Sequence, residues 1–297
     1  MKQIVECVPN FSEGQRKEVI DQLVAAIASV PDVIVLDVEA DPDHNRSVIT
    51  FVGEPAAVEE AAFRSIAKAA ELIDLRQHKG KHPRMGAADV VPFVPLRGVT
   101  MQDCVEMARR LGKRVGEELG IPVYLYEEAA TRPERRNLAD IRRGEYEKIA
   151  EEMGKVPERE PDFGPARMGS AGATAIGARP PLVAFNVYLN TNNVEIAKAI
   201  AKAVRYSSGG LRYIKALGLL VEGRAQISMS VTDFHGTPLL RVLDMIRSEA
   251  ARWGVSVVES EIVGLVPEDA LLDAAVAALQ LHRFKKDQIL ENRIMGL

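Results

Sequence analysis

A chain of 297 residues, 47% of them hydrophobic, can bury the core of one large domain or of two ordinary ones. With 38 Lys and Arg against 42 Asp and Glu, a net charge of −4 and a pI near 5.9, it lacks the global basic field that draws proteins to nucleic acid. Two cysteines are too few for a disulfide framework, no apolar run approaches the roughly 20 residues that span a bilayer, and the first residues lack a secretory signal, so a cytoplasmic protein without nucleic-acid or membrane partners is expected.

Ile4–Val8 reads as a strand, and the turn Pro9 to Gly14 leads into a helix from about Arg16 with Val19, Ile20, Leu23, Val24 and Ile27 on one face. Val33–Asp37 and Ser47–Val52 follow as strands joined by a polar segment. Pro55 opens a helix to about Leu75. After a basic loop come a strand at Val90–Leu96, a helix at Met101–Leu119 and a strand at Val123–Tyr126. Charges dominate from Glu128 to Pro165, which reads as short surface helices and a connector between two halves. The second half has strands at Pro181–Leu189, Leu211–Leu220, Ala225–Val231 and Ser256–Val263, with helices at Val194–Arg205 and Pro238–Trp253. Pro267 opens a last helix to about Leu281. Both halves share the order β-α-β-β-α-β, which predicts an α/β fold of the α+β type: two ferredoxin-like subdomains flanking a ligand groove, residues 1–178 and 179–297.

Arg76-Gln-His-Lys-Gly-Lys-His-Pro-Arg84 concentrates four fixed cations and two histidines in a loop between packed elements. His78 and His82 have the spacing of a helical metal pair, but Gly80 and Pro83 oppose a helix and no third ligand is near, so no metal is expected. His82 reads either as a satisfied structural histidine or as a base. Its neighbours Lys79, Lys81 and Arg84 disfavour protonation of an imidazole, which suits a general base near neutral pH, and they are also candidates to hold substrate carboxylates.

Glu39-Ala-Asp-Pro-Asp-His-Asn-Arg46 places three carboxylates, a histidine and an arginine between two strands. Asp41, Pro42 and Asp43 suit an ordinary turn, and Glu39, at the end of its strand, is the better candidate to orient a histidine base. The segment from Asp162 to Gly177 is rich in Gly and Ala. It reads either as an interdomain linker or as a place where a flat ligand approaches the backbone and Phe163 stacks on it. Neither a phosphate-binding loop nor a dinucleotide fingerprint is present.

Val5-Glu-Cys-Val-Pro-Asn-Phe-Ser-Glu-Gly14, His78-Lys-Gly-Lys-His-Pro-Arg-Met-Gly-Ala87, Pro122-Val-Tyr-Leu-Tyr126, Asp162-Phe-Gly-Pro165 and Ile262-Val-Gly-Leu-Val-Pro267 closely resemble the glutamate formimidoyltransferase family, whose domain also begins the bifunctional formimidoyltransferase-cyclodeaminases. The resemblance implies two α/β subdomains about a folate groove, a homodimer, and transfer of a formimino group from N-formimino-L-glutamate to N5 of tetrahydrofolate as co-substrate. It implies His82 as the catalytic base. It also implies folate binding by Asp162, Phe163, Gly164, Pro165, Ala166, Arg167, Met168, Gly169, Ser170 and Ala171. Glu39 stands where a shorter carboxylate is expected as the partner of His82. The chain ends near the transferase boundary, so the product is expected to be released or handed to a separate protein such as a cyclodeaminase. Formyl transfer between 5-formyltetrahydrofolate and glutamate, folate binding without catalysis, and metal-assisted hydrolysis at His78 and His82 are the alternative readings.

Overall fold

The computed structural model of the protein describes residues 3–80 and 82–295. The chain forms two compact units that meet in sequence at Pro180 and Pro181. In the first, β1 (Ile4–Cys7) and β2 (Asn10–Phe11) are halves of one strand interrupted at Val8 and Pro9, and α1 (Lys17–Ala28) follows. Next come β3 (Val33–Asp41), β4 (Arg46–Gly53), α2 (Pro55–Leu72), β5 (Ala88–Arg97), α3 (Met101–Arg114), β6 (Val123–Glu127), α4 (Leu138–Ile141), α5 (Glu145–Glu152) and β7 (Thr174–Ala178).

The first sheet runs β3-β4-(β1, β2)-β5-β7-β6, antiparallel as far as β5 and parallel from β5 through β7 to β6. Alternate residues of the parallel strands enter different cores, as a two-residue side-chain period requires. Val91, Val123, Leu125 and Ile176 pack with the apolar faces of α1, α2 and α3. Their neighbours Val90, Tyr124, Tyr126 and Ala175 pack on the opposite face with Ile141, Ile149 and Met153. The charged stretch 128–165 is therefore a cover for the second face of the sheet, lying wholly within the first unit. Its few apolar residues, among them Leu138, Ile141, Ile149 and Met153, are outnumbered by charges.

The second unit contains β8 (Val183–Leu189), α6 (Val194–Val204), β9 (Ile214–Val221), β10 (Arg224–Val231), α7 (Leu239–Arg252), β11 (Val257–Val263), α8 (Glu268–Ala278) and α9 (Leu290–Met295). Its sheet is antiparallel in the order β11-β8-β10-β9. One core fills it, with Val187, Ile227 and Met229 of the sheet against Ile200 of α6 and Val242 and Ile246 of α7.

Three elements differ from their sequence expectation. β3 extends to Asp41, because hairpin pairing with β4 continues to Asp41 opposite Arg46; Glu39 is thus within a strand. The helix from Met101 changes to a wider π turn at Val115–Leu119, where Gly116 lets the backbone of Phe163 and Gly164 pass within a distance that a Cβ would fill. β7, within the Gly/Ala-rich stretch, is an inner strand buried at all five positions, where small residues fit between neighbours on both sides. Among the described residues no helix is long and apolar enough to cross a membrane.

Candidate active site

The basic loop is fastened to the β3–β4 turn. Asn45, in the left-handed region at φ +48°, donates from Nδ2 to the Lys79 carbonyl at 2.9 Å and accepts from the Gly14 N–H at 2.9 Å. The His78 Nε2–H donates to the Asn45 carbonyl at 2.9 Å, which gives His78 a bracing role. Gly80 lies so close to the His44 carbonyl that a Cβ there would stand 2.3 Å from it. From the far side, Arg84 Nη1 reaches Glu145 at 3.0 Å and Nη2 reaches Glu147 at 2.7 Å, tying the loop to α5. These bonds hold His78 and Lys79 on one side of His82 and Arg84 on the other.

His82 is half-buried, and its Nε2 lies 2.7 Å from Arg46 Nη1. A guanidinium only donates, so Nε2 accepts. The ring proton is then on Nδ1, in keeping with a backbone hydrogen bond to Pro83, which has only a carbonyl to offer. Burial, with the charges of Arg46, Arg142 and His44 added, depresses the His82 pKa to about 3, so the imidazole is neutral throughout the physiological range. Arg142, just beyond α4, sits with its Nη2 2.5 Å from Asp89 Oδ2 at the start of β5. The Asp89 Oδ1 in turn accepts the Met85 N–H at 2.7 Å.

A second imidazole adjoins the first. The His44 ring meets that of His82 edge-on at 6.3 Å between centroids, and its Nδ1 lies 2.5 Å from Asp41 Oδ2. Burial works to raise the Asp41 carboxyl, but the hydrogen bonds from the backbone and ring of His44 and the backbone of Asp43 outweigh it and hold the carboxyl below its usual value. Phe11, Ser12, His44, Asn45, Arg46, His78, His82, Arg84 and Asp89 surround one narrow cavity with about 190 Å³ of empty space.

Other residues singled out in the sequence are distributed around this cavity. Glu39 lies in β3 opposite Val48, and its charge, with those of Asp89 and Asp41, favours the protonated Arg46 guanidinium against burial and the Arg142 charge. Lys79 is exposed, with its carbonyl held by Asn45. Lys81 lies outside the described residues. Arg84 is engaged by Glu145 and Glu147. Among the described residues, the cations that act on His82 are Arg46 and Arg142, neither of which is a candidate on sequence grounds. Arg46 was visible only as the last residue of a polar turn, and Arg142 lay in a stretch read as a connector.

In the segment from Asp162 to Ala171, Asp162 Oδ2 is 2.5 Å from Arg135 Nη1 and accepts the Leu125 N–H at 2.8 Å, while Oδ1 accepts the Thr131 hydroxyl. Phe163 packs against the main core beside Gly112. Pro165 and Met168 are half-buried, Met168 against the tyrosine face of the sheet, whereas Gly164, Ala166, Arg167 and Gly169 are exposed. The carbonyls of Ser170 and Ala171 accept from Leu75 and Ala87 at 2.8 Å, which seats the end of the segment beside both flanks of the basic loop.

Similarity to known proteins covers both units. The formiminotransferase domain, N-terminal subdomain, matches residues 4–179, and the formiminotransferase domain matches residues 184–294. The glutamate formimidoyltransferase of Thermoplasma acidophilum is 54% identical over 98% of this chain and 97% of that protein, and that of Streptococcus pyogenes serotype M1 is 49% identical over 100% of both. The formimidoyltransferase-cyclodeaminase of Rattus norvegicus is 48% identical over 93% of this chain, which spans 52% of that longer protein. Two subdomain matches in tandem, together with such identity along the full length of shorter relatives, mean that the chain belongs to the formiminotransferase family.

Proposed function

We propose that this protein transfers the formimino group of N-formimino-L-glutamate to N5 of tetrahydrofolate, releasing L-glutamate, with His82 as the general base. The observation that carries the assignment to His82 is its neutral imidazole, set in a narrow cavity with two guanidiniums beside it. In the net exchange a bond forms between N5 and the formimino carbon, the bond from that carbon to the glutamate nitrogen breaks, and one proton passes from N5 to the departing nitrogen. His82 Nε2 carries that proton, which requires the lone pair that a neutral Nδ1–H tautomer provides.

The residues present fit such substrates. Both carry carboxylates, and the site offers the Arg46 guanidinium as well as a buried Arg142 Nε that has no hydrogen-bond partner among the described residues. The exposed part of the segment from Gly164 to Gly169 would hold folate through its backbone, with Asp162 and Phe163 anchoring that segment from below. The ferredoxin-like reading of both units is supported by their strand orders, in which the first strand lies between the third and the fourth once β1 and β2 are counted as one.

Incubation with tetrahydrofolate and either formiminoglutamate or its N-formyl counterpart, with glutamate release as readout, tests this reading. Release from the formimino donor is expected, and His82→Ala should lower kcat by about 100-fold or more, the size of a general-base contribution. A folded His82→Ala protein with unchanged kcat removes His82 from the chemistry. Folate binding without release from either donor would overturn the transferase reading.

A further inference from the structure

His82 as it stands is a poor base: burial lowers its basicity most, and Arg46 adds two further effects. The Nε2 lone pair that must take the proton is already occupied by an Arg46 N–H at 2.7 Å, and the same guanidinium places a positive charge against the ring. Catalysis by this imidazole therefore requires that Arg46 first be moved. Arg46 is suited to moving. It begins β4 at the end of the β3–β4 hairpin, is half-buried, and has five N–H donors, of which only the one to His82 is engaged among the described residues. Arg142, by contrast, is held at 2.5 Å by Asp89. A guanidinium held by a single bond to a neutral nitrogen can exchange it for a bidentate pair with a carboxylate, which adds a second bond and the attraction of opposite charges.

We propose that Arg46 is a positioning residue that caps His82 Nε2 in the free protein and is drawn off it by a carboxylate of the incoming donor, so that the base becomes competent only when an anionic substrate is bound. This rests on the formimino-transfer reading and assigns to it the group that recognises the donor's charge. Two effects follow from one displacement: the lone pair is released, and neutralisation of the nearby charge by the carboxylate moves the imidazole toward the operating pH, where a base is most effective. A neutral compound of the same shape fails to trigger either. Among the described residues, the charged and titratable groups around the pair are Glu39 and Asp41 from β3, His44 from the hairpin turn, His78 and Arg84 from the basic loop, Asp89 from β5 and Arg142 beyond α4, and all of them remain in place in the variants below.

The test uses the intact protein labelled with 15N in its histidine rings. In the free protein the His82 signals should report an Nδ1–H tautomer with a hydrogen-bonded Nε2 and no titration between about pH 5 and 8. Addition of formiminoglutamate, or of unreactive glutamate, should shift Nε2 to its unbonded position and raise the titration midpoint, while glutamate diamide should do neither. Arg46→Gln should show the unbonded Nε2 signal without any ligand and a midpoint moved from about 3 toward the ordinary imidazole value of about 6.5. Its KM for the donor should rise about 10-fold to 100-fold, as expected for one lost charge-assisted hydrogen bond, and Arg46→Lys should recover donor binding in part. An Nε2 signal unmoved by glutamate in the wild-type protein, or an Arg46→Gln protein with wild-type KM and midpoint, would overturn the gate. Absence of transfer by the wild-type protein from any donor would instead overturn the functional reading, and the glutamate titration would still decide whether Arg46 leaves Nε2.

Discussion

His82 is held in the protonation state its proposed role needs, and that state affects folding as well as catalysis. In the unfolded chain an imidazole binds its proton near 6.5, whereas in the folded protein the binding falls to about 3, mainly through burial and then through Arg46 and Arg142. Between these two values the unfolded chain carries more protons. The stability contribution is therefore complete above about pH 6.5 and is lost as the pH falls toward about 3, with a slope of up to about 1.4 kcal/mol per pH unit from this one residue. Replacement of His82 by Gln removes the titrating group. Urea unfolding of the two proteins at pH 7, 6 and 5 should show the wild-type protein losing stability more steeply, and parallel curves would mean that the imidazole is not depressed in the folded state. The sequence made a neutral histidine legible, because cations crowd it in the chain. Which cations act was not legible: Arg46 and Arg142 reach His82 from 36 and 60 residues away along the chain, through a hairpin and a connector.

The elements divide the candidate folate segment into an anchor and an exposed remainder. Asp162 and Arg135 are almost wholly buried, and Asp162 also accepts the Leu125 N–H and the Thr131 hydroxyl, so it locks the segment to β6 and to the short turn before α4. Removal of this carboxylate leaves a buried guanidinium without its charge partner, which costs about 3–5 kcal/mol. Asp162→Ala should accordingly lower the denaturant midpoint before any ligand is added, whereas Arg167→Ala, at an exposed position, should leave it within about 0.5 kcal/mol of wild type. If Asp162→Ala kept wild-type stability and lost only folate affinity, the aspartate would belong to the ligand and not to the anchor. Periodicity exposed most helices and strands here because their apolar stripes are regular. It missed β7, whose Thr-Ala-Ile-Gly-Ala composition has almost no stripe to read and suits an inner strand where Gly177 leaves room for the ring of Tyr126.

At the scale of the whole molecule, each unit has a hydrophobic core of its own. Two clusters lie between Val5 and Ala178, and the third lies between Val183 and Ala270. The repeated β-α-β-β-α-β order was legible because each unit places its strands and helices at similar spacings. The extension by α3, β6, α4, α5 and β7 was harder to read, since its covering segment is more charged than apolar and joins two parallel neighbours across more than forty residues. The second unit has a four-stranded sheet, helices packed on it and a core of its own. A fragment of residues 181–297 should therefore unfold cooperatively in urea and give well-dispersed amide signals, yet catalyse no transfer, because His82, Arg46 and Arg142 all belong to the first unit. A fragment with random-coil amide shifts and no unfolding transition would show that the second core is insufficient by itself. Its apolar sheet and helix residues Val187, Ile200, Ile227, Val242 and Ile246 would then need the first unit in order to become buried.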